Sequence, residues 1–234
     1  MFHFETISET EILPDLQFDK WKFFDYMEYK VVHPTVRRFH DSKAKIRVCC
    51  APRRTTKSYS AAKEALSYVV QRDRKRLIWI VGPNYNLAEK EFRYIHDDIS
   101  IKLVKMGWPK PLMSACDARS GRLYLKTAWG TEVIGKSADN PSSLLGDAVD
   151  VVIYSEAAQL PRAIRERYVA STLNTTNGCE IIPTTPSASA EWVHELFNIG
   201  LEGQIPEIES FHWDVSANPI YGHAELERAR KLYG

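Results

Sequence analysis

Runs of apolar residues alternate with amphipathic segments along most of the chain. Four runs rich in β-branched residues predict buried strands over 46–51, 77–81, 149–154 and from 181 onward. Apolar positions at helical spacing predict helices over 59–71, 87–103, 162–173 and 192–199. Continuous apolar strands that alternate with helices are typical of a mainly parallel sheet covered by helices on both faces. We therefore predict an α/β fold of this kind.

Other segments complete the predicted elements. A turn at 119–121, followed by strand-like stretches at 123–125 and 131–134, predicts a small β-hairpin insertion. Asn86 is expected to cap the helix over 87–103, with Glu89 completing a capping box. A charged helix is expected from Ala224.

The composition is that of an ordinary globular protein. The chain has 234 residues, 44% of them hydrophobic and 26% charged, which suits one large domain. The formal net charge of +1 neither favours nor excludes nucleic acid as a partner. Basic residues nevertheless concentrate at 37–57 and 72–76, either as solvated helix ends and loops or as a contact for nucleic acid. No apolar stretch reaches the length of a membrane span, and the four cysteines lack metal-binding spacing.

The polar residues after the first predicted strand resemble a phosphate-binding loop. The usual pattern is Gly-x-x-x-x-Gly-Lys-Ser/Thr, and Lys57 and Ser58 match its end. In such loops backbone N–H groups surround phosphate oxygens, the lysine neutralises charge and the hydroxyl helps to hold Mg²⁺. Ala51 and Thr56 replace the two glycines. Because a β-branched residue is strained at positive φ, we expect a distorted loop or weak nucleotide binding.

A second polar pair, Ser155 and Glu156, follows the strand over 149–154. ATPases with such a loop usually carry Asp-Glu here; the aspartate orients the metal through water, and the glutamate polarises the attacking water. A serine hydroxyl keeps a hydrogen-bonding group but brings no charge. The alternative is purely structural, with Ser155 as the N-cap of a helix and Glu156 in its first turn. Lys57, Glu156 and the pair Thr184–Thr185 all follow predicted strands, so we expect them at one edge of the sheet.

Several short motifs, taken in order, give the chain a resemblance to a known family. The motifs are RRTTKS at 53–58, GPNY at 82–85, GKSADNP at 135–141, EAAQLP at 156–161, TTP at 184–186 and ANP at 217–219. Their order and spacing are similar to those of the large terminase subunit of tailed bacteriophages, the motor ATPase that packages DNA. The resemblance implies a P-loop NTPase-like fold that uses ATP and Mg²⁺. The predicted domains are then an N-terminal helical, adenine-side segment over 1–45, a P-loop ATPase core over 46–210 and a C-terminal extension over 211–234.

The resemblance also implies roles for individual residues. Lys57 would contact the β- and γ-phosphates, and Glu156 would be the general base. Ser58 and, indirectly, Ser155 would hold the metal, while Arg53 would stabilise the γ-phosphate as a second catalytic residue. The other implied nucleotide-binding residues are Arg54, Thr55 and Thr56 in the loop and Pro83 and Tyr85 on the adenine side, and the implied coupling motif is Thr184, Thr185 and Pro186.

The chain departs from the family pattern at positions that bear on activity. Both loop glycines, the metal-orienting aspartate and an adenine-recognising glutamine are missing, with Val36 at the place of the glutamine. Leu145 stands where some members carry a trans-acting arginine, a residue that contributes large rate factors. We therefore expect an ATPase that is slow or inactive alone, or one that uses another arginine, such as Arg162 or Arg165, of a neighbouring subunit.

The sequence thus favours the ATPase motor domain of a viral packaging terminase, which would move double-stranded DNA into a procapsid. The same resemblance implies a portal protein and a small terminase subunit as partners. It further implies a ring-forming homo-oligomer on the portal, in the host cell cytoplasm and without a membrane. A nuclease domain is not expected within 234 residues. Two alternatives stay open: a degenerate nucleotide-binding or assembly module with little or no hydrolysis, and a helicase-like ATPase.

Overall fold

Eight strands form one mixed sheet in the computed structural model, which describes residues 18–187, 190–220, 227–228 and 231. In chain order the strands are β1 (Ile46–Cys50), β2 (Leu77–Gly82), β3 (Met113–Asp117), β4 (Arg122–Lys126), β5 (Glu132–Ser137), β6 (Val151–Tyr154), β7 (Cys179–Thr184) and β8 (Ile208–Phe211). Their order in space is β3-β4-β5-β2-β6-β7-β1-β8. All pairings among β1, β2, β5, β6, β7 and β8 are parallel, which confirms the predicted sheet.

The predicted hairpin insertion lies at one side of this sheet. β4 runs antiparallel to both β3 and β5, with Leu125 opposite Val133. The turn expected at 119–121 joins β3 to β4, and Gly121 adopts a positive φ of 67° there. The hairpin thus extends the sheet beyond β5, and β8, which pairs with β1, forms the opposite edge.

Six α-helices flank the sheet within the described residues. They are α1 (Lys20–Tyr26), α2 (Pro34–Asp41), α3 (Lys57–Val69), α4 (Tyr85–Asp97), α5 (Ala170–Asn174) and α6 (Glu191–Glu202). The stretch Asp98–Leu103 continues α4 with π-helical geometry, and Ile164–Val169 leads into α5 in the same way. These helices agree with the predicted ones to within a few residues at their ends.

The two faces of the sheet carry separate apolar cores. In β2, Ile78 and Ile80 contribute to the first core, while Trp79 and Val81 contribute to the second. This alternation follows from the pleat, because successive side chains of a strand point to opposite faces. The first core includes residues of α1 to α4, and the second includes Trp192 of α6. Both faces are therefore buried, which explains why the two central strands β2 and β6 contain no charged or hydroxyl side chain apart from the phenol of Tyr154.

One local expectation is wrong, two strands were not predicted, and one predicted helix is not tested. The residue that caps α4 is Asn84, whose side chain accepts a hydrogen bond of 3.0 Å from the Leu87 N–H, whereas Asn86 and Glu89 lie inside the helix. The strands β3 and β8 had no signal in the sequence, because each is short and lies at an edge of the sheet, where polar residues are common. The charged helix expected from Ala224 falls mostly outside the described residues.

A buried cluster of charges fixes α3 against β1 and the N-terminal helices. Glu64 of α3 accepts hydrogen bonds from Arg47 at 2.7 Å and Lys20 at 3.0 Å, and its other oxygen lies 2.7 Å from His40 Nδ1. Burial acts to raise the pKa of Glu64, but the Arg47 guanidinium and His40 hold it well below its usual value. Part of the basic run at 37–57 is therefore structural and is not a surface for nucleic acid.

Candidate nucleotide-binding and catalytic site

The candidate phosphate loop connects β1 to α3, with Lys57 as the first residue of the helix. The loop curls tightly on itself, since the Lys57 ammonium donates to the Pro52 carbonyl at 3.1 Å and the Thr55 hydroxyl donates to the same oxygen at 2.8 Å. Burial lowers the pKa of the Lys57 ammonium, and the nearby Glu156 carboxylate opposes that effect. The lysine is therefore held close to the loop, with an acidic neighbour across the site.

The loop keeps the backbone shape that glycine would allow, although it has no glycine. Thr56 adopts a φ of 66° and Arg54 a φ of 65°. Such left-handed conformations are strained for residues with a Cβ, and most of all for a β-branched one. This conformation is the strain that the sequence predicted for Thr56.

A distant segment, 212–218, holds the loop from outside. Trp213 is almost fully buried, and its indole N–H donates to the Thr55 carbonyl at 2.7 Å. The Asn218 amide donates to the Arg54 carbonyl at 2.9 Å, and His212 Nδ1 donates to the Cys50 carbonyl at 2.8 Å. Three carbonyl groups in or beside the loop are thus fixed by residues that follow β8.

The polar pair after β6, Ser155 and Glu156, lies at the same edge of the sheet. Ser155 is fully buried, and its hydroxyl lies 2.7 Å from the Leu87 carbonyl and 2.6 Å from the Glu91 carboxyl. Glu156 has a φ of 49° and immediately precedes the short 3₁₀ helix Ala157–Gln159 without a side-chain cap. The alternative in which Ser155 caps a helix is therefore wrong, because its hydroxyl is bound to α4.

Five polar residues converge between these two strand ends. Glu91 of α4 is fully buried, and burial raises the pKa of its carboxyl, although the hydrogen bond from Ser155 and the influence of the Ser58 hydroxyl oppose the rise. Glu91 and Glu156 both act electrostatically on Lys57. The second oxygen of Glu91, Oε1, is buried and has no hydrogen-bond partner. The site therefore joins one lysine, two hydroxyls and two carboxyls.

The expected coupling residues lie between the loop and the polar pair Ser155–Glu156, because β7 separates β1 from β6 in the sheet. The Thr184 carbonyl accepts from the Ala51 N–H at 3.1 Å, and its hydroxyl accepts from the Ala158 N–H at 3.1 Å. Thr185 and Pro186 follow directly and line a small cavity beside α6. Thr184 therefore contacts the backbone on both sides of the site.

Four other sequence-predicted residues lie further from this cluster. Pro83 and Tyr85 follow β2, which is separated from β1 by β6 and β7. An ideal Cβ on Gly121 would lie only 3.2 Å from the Tyr85 ring, so the ring packs against the hairpin turn. Arg53 and Arg54 are exposed on the loop.

The arginines considered for a trans-acting role differ in their surroundings. Arg165 makes a bidentate pair with Glu180, with bonds of 2.7 and 2.8 Å, and its side chain is 16% exposed. Arg162 is 42% exposed and contacts Glu195 and Glu166 on the protein surface. Of the two, Arg162 is the one that could contact a neighbouring subunit without loss of a buried ion pair.

The oxygen donors of the cluster fit Mg²⁺, which prefers hydroxyl, carboxylate and water oxygens. Within the described residues no group of three or more His, Cys, Asp or Glu side chains has the arrangement of a protein-only metal centre. The buried Oε1 atom of Glu91, which has no hydrogen-bond partner, is the feature that best fits Mg²⁺.

Two residues of the site, Glu91 and Trp213, were not predicted from the sequence. Glu91 had a detectable signal, because it occupies the buried stripe of α4 together with Ala88, Phe92 and Ile95. A carboxylate in an apolar helical stripe is unusual and points to a specific environment. No feature of the sequence distinguished Trp213, because most tryptophans of this kind simply pack in an apolar core.

The sheet order, the lysine after β1 and the glutamate after β6 together define a P-loop ATPase-like domain. No family model matches the chain. The large terminase subunits of Thermus phage G20c and Thermus virus P23-45 are each 30% identical to it, over 83% of this chain and 44% of their own length. The chain therefore spans less than half the length of these curated relatives.

Solved structures give the same assignment. The large terminase ATPase domain of Thermus phage P74-26 matches with a TM-score of 0.73 and 27% identity, over 91% of this chain and 92% of that one. The large terminase of bacteriophage HK97 shares the fold at 14% identity, with a TM-score of 0.64 over 86% of this chain and 46% of that one. The chain belongs to the family of phage large terminase subunits, in the region of their ATPase domain. In the described part of the chain, no helix has the length and apolar character needed to cross a bilayer.

Proposed function

We propose that this domain hydrolyses ATP to drive double-stranded DNA into a viral procapsid, as the motor of a packaging terminase. The observation that carries the proposal is the convergence of Lys57, Ser58 and Glu156 at one edge of a sheet whose fold matches that of terminase ATPase domains. A large terminase of this fold, from a thermophilic bacteriophage, has been solved with ADP and with ATP-γ-S. These complexes support a nucleotide as a ligand of the domain proposed here.

The chemistry assigned to each residue follows from its charge and position. Lys57 would neutralise charge on the β- and γ-phosphates, and Ser58 would hold Mg²⁺ with indirect help from Ser155. Glu156 would orient and polarise the attacking water, and Arg53 would stabilise charge on the γ-phosphate. When bound, Mg²⁺ supplies charge neutralisation between the β- and γ-phosphates. Glu156 pairs only loosely with Lys90, at 3.8 Å, so a small movement would free it for a water molecule.

Coupling between hydrolysis and movement would pass through Thr184. Its two hydrogen bonds join the start of the loop to the turn after Glu156, so a change at either strand end alters the other. Thr185 and Pro186 would carry the change toward α6, which begins at Glu191. DNA contacts in such a motor would be electrostatic and therefore sensitive to salt.

The assembly proposed for the domain follows the family. A ring of copies on a portal protein, aided by a small terminase subunit in the host cytoplasm, would complete the motor. An arginine from a neighbouring copy would then compensate for Leu145, which is half exposed. Arg162 is the candidate within this chain, because its partners lie at the surface.

A degenerate nucleotide-binding module is the second candidate function. The observation in its favour is the strained loop, in which Thr56 holds a left-handed conformation without glycine. A loop of this kind binds phosphate less readily if Thr56 relaxes. Binding of nucleotide without turnover would favour this alternative over the motor.

Turnover and binding with Lys57→Ala test the proposal. We expect the unmodified chain to bind a fluorescent ATP analogue and to hydrolyse ATP with Mg²⁺, and we expect the variant to lose both by about 10- to 100-fold, because an ammonium–phosphate contact contributes roughly 1.5–3 kcal/mol. Lys22→Ala, on the exposed side of α1, is the matched control and should change neither quantity. Absence of nucleotide binding by the unmodified chain would overturn the proposal.

A further inference from the structure

The end of β6 lacks the carboxylate that ATPases use to orient their metal, but the fold brings another one to the same place. Ser155 occupies the position in sequence, and its hydroxyl lies 2.6 Å from the carboxyl of Glu91. Glu91 belongs to α4, sixty-four residues earlier in the chain. Ser58, the expected metal-side hydroxyl, counteracts the rise that burial causes in the pKa of this carboxyl. Glu91 therefore contacts Ser155 and is influenced by Ser58, the two residues that the resemblance assigns to the metal.

The state of Glu91 argues for a ligand. A fully buried carboxyl is unfavourable unless its oxygens are paired, and native proteins pair nearly all such groups. Oε2 of Glu91 faces Ser155, but Oε1 is buried and lacks a partner. The positively charged group nearest in sequence, Lys90, instead approaches Glu156 at 3.8 Å. The carboxyl acts electrostatically on Lys57, but its Oε1 atom has no hydrogen bond that would account for its burial.

We propose that Glu91 supplies, from α4, the negative charge that Ser155 cannot supply, and that it positions the water shell of Mg²⁺ when Mg²⁺–nucleotide is bound. The inference rests on the proposed function, since it requires a nucleotide site at this edge. Glu91 is a positioning residue, because it acts through the ligands of the metal and Ser58. In this arrangement Ser155 orients the carboxyl instead of the metal.

A structural role is the competing explanation. The contact between Ser155 and Glu91 also ties α4 to β6, so removal of the carboxyl could simply loosen the domain. The two explanations differ in one measurable quantity, the gain in nucleotide affinity that Mg²⁺ provides. If Glu91 is only a structural strut between α4 and β6, its loss changes nucleotide affinity equally with and without Mg²⁺. If its carboxylate positions the metal, its loss changes only the gain in affinity that Mg²⁺ provides.

The experiment measures the affinity of a fluorescent ADP analogue in Mg²⁺ and in EDTA. For Glu91→Gln we expect a gain from Mg²⁺ that is about tenfold smaller than in the unmodified chain, because loss of a group that orients metal ligands lowers metal affinity by about 10- to 100-fold. Affinity in EDTA should be unchanged, because glutamine keeps the size and a hydrogen bond to Ser155. Glu89→Gln, two residues earlier on α4 and paired with Arg93, is the matched control and should keep the full gain.

A second variant moves the charge back to the strand. In Ser155→Asp combined with Glu91→Gln, the carboxylate stands at the end of β6 and the glutamine amide can donate to it. We expect this double variant to recover most of the gain from Mg²⁺ that Glu91→Gln loses. Recovery is a result that a structural strut does not predict.

The outcomes separate the two proposals. If the unmodified chain binds no nucleotide, the proposed function fails and Glu91 has no role in it. If the unmodified chain shows the gain and Glu91→Gln keeps it, only the Glu91 inference is overturned. If Glu91→Gln weakens binding equally in Mg²⁺ and EDTA and the double variant does not recover, Glu91 is a strut and the inference is again overturned.

Discussion

The phosphate loop and the end of β6 both depart from the pattern of their class, but the fold accommodates the two departures differently. In the loop, glycine is replaced by Thr56, and the backbone still adopts a φ of 66°. At the end of β6, aspartate is replaced by Ser155, and a carboxyl reaches the same place from α4. A side-chain charge can be supplied by another element, whereas a backbone conformation must be adopted by the residue itself.

The loop therefore retains backbone strain, whereas at the end of β6 a carboxyl from α4 replaces the missing charge. The loop is held by three hydrogen bonds from the 212–218 segment, which keep a strained conformation in place. The strand end is held by a buried hydroxyl with two partners in α4. Variants that act on one region or the other can test this division.

The largest effect is expected at the strand end, on turnover alone. Glu156→Gln should lower the rate of ATP hydrolysis by about 10²–10⁴-fold, because it removes the proposed general base, while nucleotide affinity stays near that of the unmodified chain. Lys57→Ala at the loop should instead lower affinity as well. Steady-state turnover together with fluorescence titration measures both quantities, and Lys22→Ala on the exposed side of α1 is the control. Hydrolysis that survives Glu156→Gln would contradict the assignment of the base.

Removal of the Ser155 hydroxyl is expected to have the next largest effect, on stability. Ser155→Ala takes away the group that contacts both the Leu87 carbonyl and Glu91, and should lower the free energy of unfolding by roughly 3 kcal/mol. Chemical denaturation measures the change. Ser210→Ala is the matched control, because that hydroxyl is also buried but has no hydrogen-bond partner, so its loss should be nearly neutral. Equal effects of the two variants would contradict a bracing role for Ser155.

Loss of a contact between the 212–218 segment and the loop should lower stability less than Ser155→Ala does, but it should also weaken nucleotide binding. Trp213→Phe removes the indole N–H from the Thr55 carbonyl and should lower the free energy of unfolding by roughly 2 kcal/mol, with weaker nucleotide binding. Trp192→Phe breaks an equivalent bond of 2.8 Å to the Leu160 carbonyl, in the core on the other face of the sheet. Titration should show a loss of nucleotide affinity for the first variant only. A similar loss in both would mean that Trp213 acts through general stability.

The smallest expected effect is a gain. Thr56→Gly removes the Cβ from a left-handed residue and should raise the free energy of unfolding by roughly 1 kcal/mol, with tighter nucleotide binding. Glu28→Gly relieves a similar φ of 52° far from the loop and serves as the control, which should leave binding unchanged. Thermal denaturation and titration measure the two effects. Destabilisation by Thr56→Gly would show that the threonine side chain contributes more than its strain removes.

The sequence by itself determined the architecture and one half of the site. Apolar runs in the central strands and helical spacing between them were sufficient for the parallel sheet, because burial on both faces leaves a plain pattern. The same patterns located Lys57, Ser58 and Glu156 after strands, and parallel strands bring such ends to one edge. The short edge strands β3 and β8 left no such pattern, since half of their surroundings are solvent.

The tertiary structure alone decided how the departures from the motif are accommodated. Glu91 and Ser155 meet across sixty-four residues because α4 packs beside the end of β6, and no local spacing records that contact. Trp213 and Asn218 reach the loop only because β8 pairs with β1 and directs the following segment to it. Sequence patterns report local periodicity and the exposure of each position, whereas the meeting of distant polar groups depends on how whole elements pack.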